Sequence, residues 1–289
     1  MAQVFAIVFP IFGIVALGYL YARRHEPDMA SANRLNLEIF TPALIFSVLS
    51  GEGFELARYA ELAFAAMLVV LGSGLLAWPF ARLFGFHSKT FLPPMMFNNS
   101  GNMGLPLALF AFGEAALPAA MVLFLVENTL HFTVGNAMLT GHVNPLKLIR
   151  MPMLLATLAG LLVAMLEIRV PGPVDEAIDL LGQVAIPLML FALGVRMTAV
   201  DLSDWRIGLA GALLCPLTGL AMAWPAAAFF DLPEMQLAQL IVFAALPPAV
   251  LNFMLAERYK IEPHKVAAVV LLGNLASLLV LPAVLFWVL

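Results

Sequence analysis

The feature that most constrains this 289-residue chain is an internal repeat. Leu92-Pro93-Pro94, with Asn98 four positions on, returns as Leu246-Pro247-Pro248 with Asn252 four positions on. Trp78-Pro79 recurs as Trp224-Pro225, and Asn128 recurs as Asn274, 50 residues after the tryptophan in both halves. Earlier in each half, Pro10 with Gly18 matches Pro152 with Gly160, and Thr41-Pro42-Ala43-Leu44-Ile45-Phe46 resembles Ile186-Pro187-Leu188-Met189-Leu190-Phe191. The chain is therefore expected to fold as two related units, residues 1–142 and 143–289, each with a proline-broken segment in the same place. Duplicated membrane units with corresponding broken helices point to a solute-binding site at the breaks.

Composition places these units in a lipid bilayer. With 63% hydrophobic residues, 11% charged residues and a mean hydropathy of +1.00, the chain has too little polar surface to clothe a soluble globule. A spanning helix takes roughly 20 mostly apolar residues. Ten such segments are read at 3–22, 34–50, 59–82, 90–112, 115–139, 150–167, 176–196, 206–230, 236–256 and 265–288, giving an all-α integral membrane fold. The longest polar stretches, 23–34 and 195–206, leave no room for a catalytic or nucleic-acid-binding module. No phosphate-binding loop, no metal-ligand spacing and no hydrolase motif appears, so neither an enzyme nor a bound cofactor or metal is expected. The single Cys215 excludes an intrachain disulfide.

Alternating the connections puts 12 of the 14 basic residues on one side, leaving only Arg58 and Arg169 on the other. By the positive-inside rule the crowded side is cytoplasmic and both termini face outward. Arg23 and Arg24 follow the first segment rather than precede it, which argues against a cleaved signal peptide. Five spans per unit is an odd number, so the second unit enters from the opposite side and the repeats are inverted.

The first break holds the richest chemistry. The run Pro93–Pro106 contains three prolines, two glycines, three asparagines and a serine, a composition suited to unwound backbone. Pro106 deprives the Asn102 carbonyl of its helical donor. Unwound backbone survives at membrane depth only against protein or a water-filled cavity. The fourth and ninth spans are thus expected to cross near the midplane, with half-helix N-termini presenting free N–H groups to an anion. Asn98, Asn99, Ser100, Asn102 and Asn252, beside Pro94 and Pro248, are the candidate substrate-binding residues. A plainer reading is that these asparagines cap broken ends and join helices.

Ionisable groups inside the membrane mark functional sites. Glu127 adjoins Asn128 and lies one helical turn from His131, a pair suited to carrying a proton or helping to hold a cation. Glu38 precedes Pro42 by four residues as Gln183 precedes Pro187, so both are candidates for a shared cavity, with Asn274 supporting the second crossing.

The run Asn98-Asn99-Ser100-Gly101-Asn102-Met103-Gly104-Leu105-Pro106, the Pro187 segment ending in Leu193-Gly194 and the Pro247-Pro248 break resemble the auxin efflux carrier family, which includes bacterial permeases and the plant PIN-FORMED carriers. The resemblance extends over essentially the whole chain. It implies the inverted 5+5 fold of bile-acid symporters and sodium/proton antiporters, with helices 1, 2, 6 and 7 as scaffold and helices 3–5 and 8–10 as a moving core around crossed helices 4 and 9. It implies elevator-type secondary transport of a small organic anion such as malate or malonate across a bacterial inner membrane, and a homodimer. Auxin itself fits less well, since the long cytoplasmic loop of many plant carriers is missing. Sodium-coupled symport of the bile-acid type, with sodium near Asn99, Ser100, Glu127 and Asn128, is the alternative to a proton-coupled or uncoupled carrier. A channel or sensor on the same fold is the alternative of another class.

Overall fold

The computed structural model describes residues 2–51, 54–142, 150–198 and 203–289; Lys147 and the start of the second unit at 143 fall outside this set. The described residues are mostly helical, and the only β-type pairing among them is an isolated antiparallel bridge between Asn98 and Pro248. Helices satisfy their own backbone groups, which hydrocarbon cannot do for them. Six are long and apolar enough to cross a membrane alone: Gln3–His25, Leu56–Leu83, Glu114–Thr140, Gly172–Arg196, Trp205–Phe229 and Pro263–Val288. Ser100–Phe112, Pro152–Met165 and Glu234–Ala244 are shorter apolar helices. Large apolar side chains such as Leu75, Trp224, Phe229 and Leu279 are exposed, a surface that suits lipid and not water. The protein is a multi-pass membrane protein.

The helices pack in two groups. In one, Ala2–His25 runs along Ala185–Arg196, while Thr41–Ser50 packs against Pro152–Met165 and Gly172–Gln183. Glycine makes the first contact possible: a Cβ on Gly18 would strike the Phe191 carbonyl oxygen, and one on Gly194 the Val15 carbonyl oxygen. Small residues let helices approach backbone to backbone where no hydrophobic force drives them together. In the other group Trp205–Phe229 packs against Ala60–Leu83 and Pro263–Val288, and Ala60–Leu83 also meets Ser88–Met96 and Leu117–Leu130.

Two segments are interrupted, both near their expected places. The first runs as Ser88–Met96, an extended link through Phe97, a π-helical turn at Ser100–Gly104, and Leu105–Phe112. The second runs as Glu234–Ala244 and then, beyond Pro247-Pro248, Val250–Tyr259. The first break lies later than the prolines suggest. Pro93 and Pro94 lie inside the helix Ser88–Met96, where they leave the Lys89 and Thr90 carbonyls without a helical donor. The unwinding instead covers Phe97–Asn99, and the π-helical turn that follows ends just before Pro106, which cannot donate to Asn102. A second π-helical turn, Asn36–Phe40, precedes Pro42 in the same way, and a third, His131–Gly135, follows Glu127 by one turn.

Candidate functional site

The broken segments satisfy each other. Asn99 N–H donates to the Pro247 carbonyl at 2.7 Å, and Ala249 N–H donates to the Phe97 carbonyl at 2.9 Å, forming the short bridge. Helix ends leave their last carbonyls without partners, and each duplicated asparagine supplies one across the crossing. Asn98 Nδ2 donates to the Phe243 carbonyl at 2.7 Å, while Asn252 Nδ2 donates to Phe97 at 2.8 Å and to Ala249 at 3.0 Å. Asn274 braces the assembly by donating to the Pro248 and Val270 carbonyls at 3.1 and 2.7 Å, and its Oδ1 accepts from Asn99 Nδ2 at 3.1 Å.

Beside the crossing lies a cavity of about 150 Å³. Gly101 and Asn102, in the first turn after the first break, and Val250 and Leu251, in the first turn after the second, line it together. First-turn N–H groups have no partner within their own helix, and the two dipoles add positive potential, so this wall favours negative charge. Asn98, Asn99, Glu127, Asn128, His131, Asn36 and Thr41 contribute polar groups. Buried polar atoms normally have partners. Here Asn98 Oδ1, Asn36 Oδ1, Thr41 Oγ1 and His131 Nε2 have none among the described residues.

Glu127 and His131 form a buried pair at the cavity wall, with Glu127 2% and His131 1% exposed. Glu127 Oε2 accepts from Ser100 Oγ and Asn128 Nδ2, both at 3.0 Å. Its Oε1 lies 3.3 Å from His131 Nδ1, at ion-pair distance but without hydrogen-bond alignment. The imidazole stacks on Phe97, centroids 4.2 Å apart and planes 8° from parallel. A carboxylate and an imidazole this close are chemically capable of exchanging a proton.

The geometry sorts the expected site residues. Asn98, Asn99, Asn102, Glu127, Asn128 and His131 line one cavity. Pro94 and Asn252 are buried outside its lining, Ser100 reaches it only through Glu127, and Pro248 and Asn274 support the second segment from behind, with Asn274 on an adjoining groove. Glu38 and Gln183 are turned to the outside, where Glu38 pairs with Arg34 at 3.0 Å and Gln183 bonds Asp179 at 2.8 Å. The helical period explains this: Asn36, two positions before Glu38, points to the opposite side and lines the cavity instead. Arg196, counted in the sequence only as a marker of membrane orientation, also lines the cavity. A lone cation at a span end beside the Leu193-Gly194 motif was the available signal.

Comparison with known proteins agrees with this architecture. A model of the family described as membrane transport protein matches residues 136–287. Across 99% of its length the chain is 30% identical to a Rhizobium meliloti (strain 1021) protein named "Putative malonate transporter", of which it covers 96%. Over 139 residues, 46% of this chain and 38% of the other, it is 29% identical to auxin efflux carrier component 8 of Arabidopsis thaliana. Broken helices that bond across a polar cavity, in a chain so matched along nearly all its length, place this protein in the membrane transport protein family, the auxin efflux carrier family its sequence resembles; it is a transporter and not an enzyme.

Proposed function

We propose that this protein is a secondary transporter that carries a small carboxylate across a bacterial inner membrane by alternating access. One observation carries the reading: two half-helix N-termini and Asn98 meet on the wall of a single polar cavity. The carboxylate docks against the free first-turn N–H groups and the Asn98–Asn102 edge, and the cavity is small beside the roughly 300–1,000 Å³ of drug-sized sites, as a metabolite requires. The relative named for malonate transport supports a short carboxylate.

In this proposal ten spans form two inverted five-helix repeats, 1–142 and 143–289. Packing supports it: the first span lies on the seventh and the second on the sixth, an exchange that a two-fold axis produces. These four helices are the scaffold, and the group around Trp205–Phe229 and the crossing is the core that slides against it. Asn33, Asn36 and Arg196 line the cavity's end on the basic, cytoplasmic side, so this is an inward-facing arrangement with outward termini. Coupling runs through the Glu127–His131 pair and uses a proton, which the buried, closely facing carboxylate and imidazole support.

Purified protein in proteoliposomes tests this. Saturable uptake of labelled malonate or malate, driven by a pH gradient and indifferent to sodium, is the expected result. Flux that does not saturate identifies a channel, binding without flux identifies a sensor, and dependence on a sodium gradient overturns the coupling assignment.

A further inference from the structure

Arg196 ends the seventh span and is the one Lys or Arg among the described residues lining the cavity. It is only partly buried, and the contact of its guanidinium is Nη1 to the Met254 sulfur at 3.4 Å. A thioether is a weak acceptor and carries no charge to balance a guanidinium. The remaining charged or titratable groups on the cavity are Glu127 and His131, which face each other across 3.3 Å. Arg34, nearby on the second span, is exposed and paired with Glu38. The cavity therefore has two electropositive ends: the paired half-helix N-termini at the crossing, and a guanidinium fork next to Met254 on the facing helix group.

We propose that Arg196 is the specificity-determining residue that takes the second carboxylate of a short dicarboxylate whose first carboxylate sits at the crossing. The inference rests on the reading of this cavity as the carboxylate site. A guanidinium binds a carboxylate through two parallel N–H···O bonds, which a lysine ammonium cannot reproduce. Arg196 belongs to the scaffold group and the half-helix ends to the core group, so a dicarboxylate spans both and is bound best when they are in register. A monocarboxylate leaves the fork without a partner and gains less. A cavity of about 150 Å³ limits the chain between the two carboxylates to a few carbons.

Malonate and propionate have the same number of carbons and differ by one carboxylate, so they isolate the effect. Affinities of the full-length protein in detergent are measured by thermal shift and by competition with labelled malonate, for wild type, Arg196→Gln and Arg196→Lys. The wild type is expected to prefer malonate by about 100-fold, Arg196→Gln to bring the preference within about 3-fold, and Arg196→Lys to retain about 10-fold. A merely structural arginine would weaken both ligands equally and leave the ratio unchanged, which overturns the proposal. A wild type that binds both equally also overturns it while leaving the carboxylate site intact. A wild type that binds neither overturns the site reading itself. Should Arg196→Gln fail to fold, Arg196→Lys decides by the same ratio.

Discussion

The segments 115–139 and 265–288 share a pattern, yet only the first brings titratable side chains to the cavity. Offset by the spacing that relates Asn128 to Asn274, Glu127 corresponds to Gly273 and His131 to Ser277. The shared asparagines keep one shared bond: each donates to the carbonyl four residues earlier, Asn128 to Phe124 at 3.0 Å and Asn274 to Val270 at 2.7 Å. Their second bonds diverge. Asn128 turns to Glu127, whereas Asn274 holds the Pro248 carbonyl. Gly273 is needed where it stands, because a Cβ there would lie 2.5 Å from Pro248 Cδ. Ser277 bonds the Asn274 carbonyl at 2.6 Å and does not line this cavity. The first half places a carboxylate and an imidazole where the second has a glycine and a serine, while both keep the asparagine's bond within its own helix.

Asn98→Ala is expected to have the largest effect on this contrast. It removes the amide that lines the cavity and one donor to the Phe243 carbonyl, which keeps the Leu246 N–H, and carboxylate transport should fall about 100-fold, as expected for losing a hydrogen bond at a charged ligand's site. Proteoliposome uptake measures it. Next comes Glu127→Gln, whose carbonyl still accepts from Ser100 and Asn128 but which holds no exchangeable charge for His131. Gradient-driven uptake should drop about 10-fold and lose its pH dependence; a pH profile matching wild type would return the pair to a structural role. Asn252→Ala should behave differently from Asn98→Ala: Phe97 and Ala249 lose a buried donor, costing about 2 kcal/mol of stability, while malonate affinity stays within about 3-fold. Equal losses of affinity in both variants would erase the asymmetry.

The smallest effect is expected at Glu262, between two helices and away from the cavity. Glu262 accepts from Thr90 Oγ1 at 2.5 Å and from Lys265, and these bonds hold its carboxyl below the ordinary carboxylate range. A lowered pKa contributes stability that is present above the unfolded value and is lost as pH falls through the folded one. Glu262→Gln should therefore cost under about 1 kcal/mol at neutral pH, because the group is largely solvated, and nothing at acid pH. Thermal melts of wild type and variant at several pH values check the convergence.

Much of the site was legible because prolines, asparagines and membrane-depth charges are conspicuous in an apolar chain. The repeat marked both breaks, and the Glu127–His131 spacing identified a pair on one helical face. Glu38 and Gln183 misled because they share an offset to proline; that offset fixes a position along the helix and not the direction of the side chain, which π-helical turns alter. Asn252 misled for a related reason. Its likeness to Asn98 signals a capping duty common to both, whereas access to the cavity depends on which neighbours cover each amide.

By itself the sequence determined a helical membrane protein with two related halves, since hydrocarbon tolerates only backbone that satisfies itself and the prolines recur in register. Only the tertiary structure decided which carbonyls the asparagines relieve, that Arg196 from one helix group and the half-helix ends of the other share a cavity, and that one repeat carries the charge. Those outcomes depend on contacts between residues more than 50 positions apart, and no local pattern encodes a distance across the bundle.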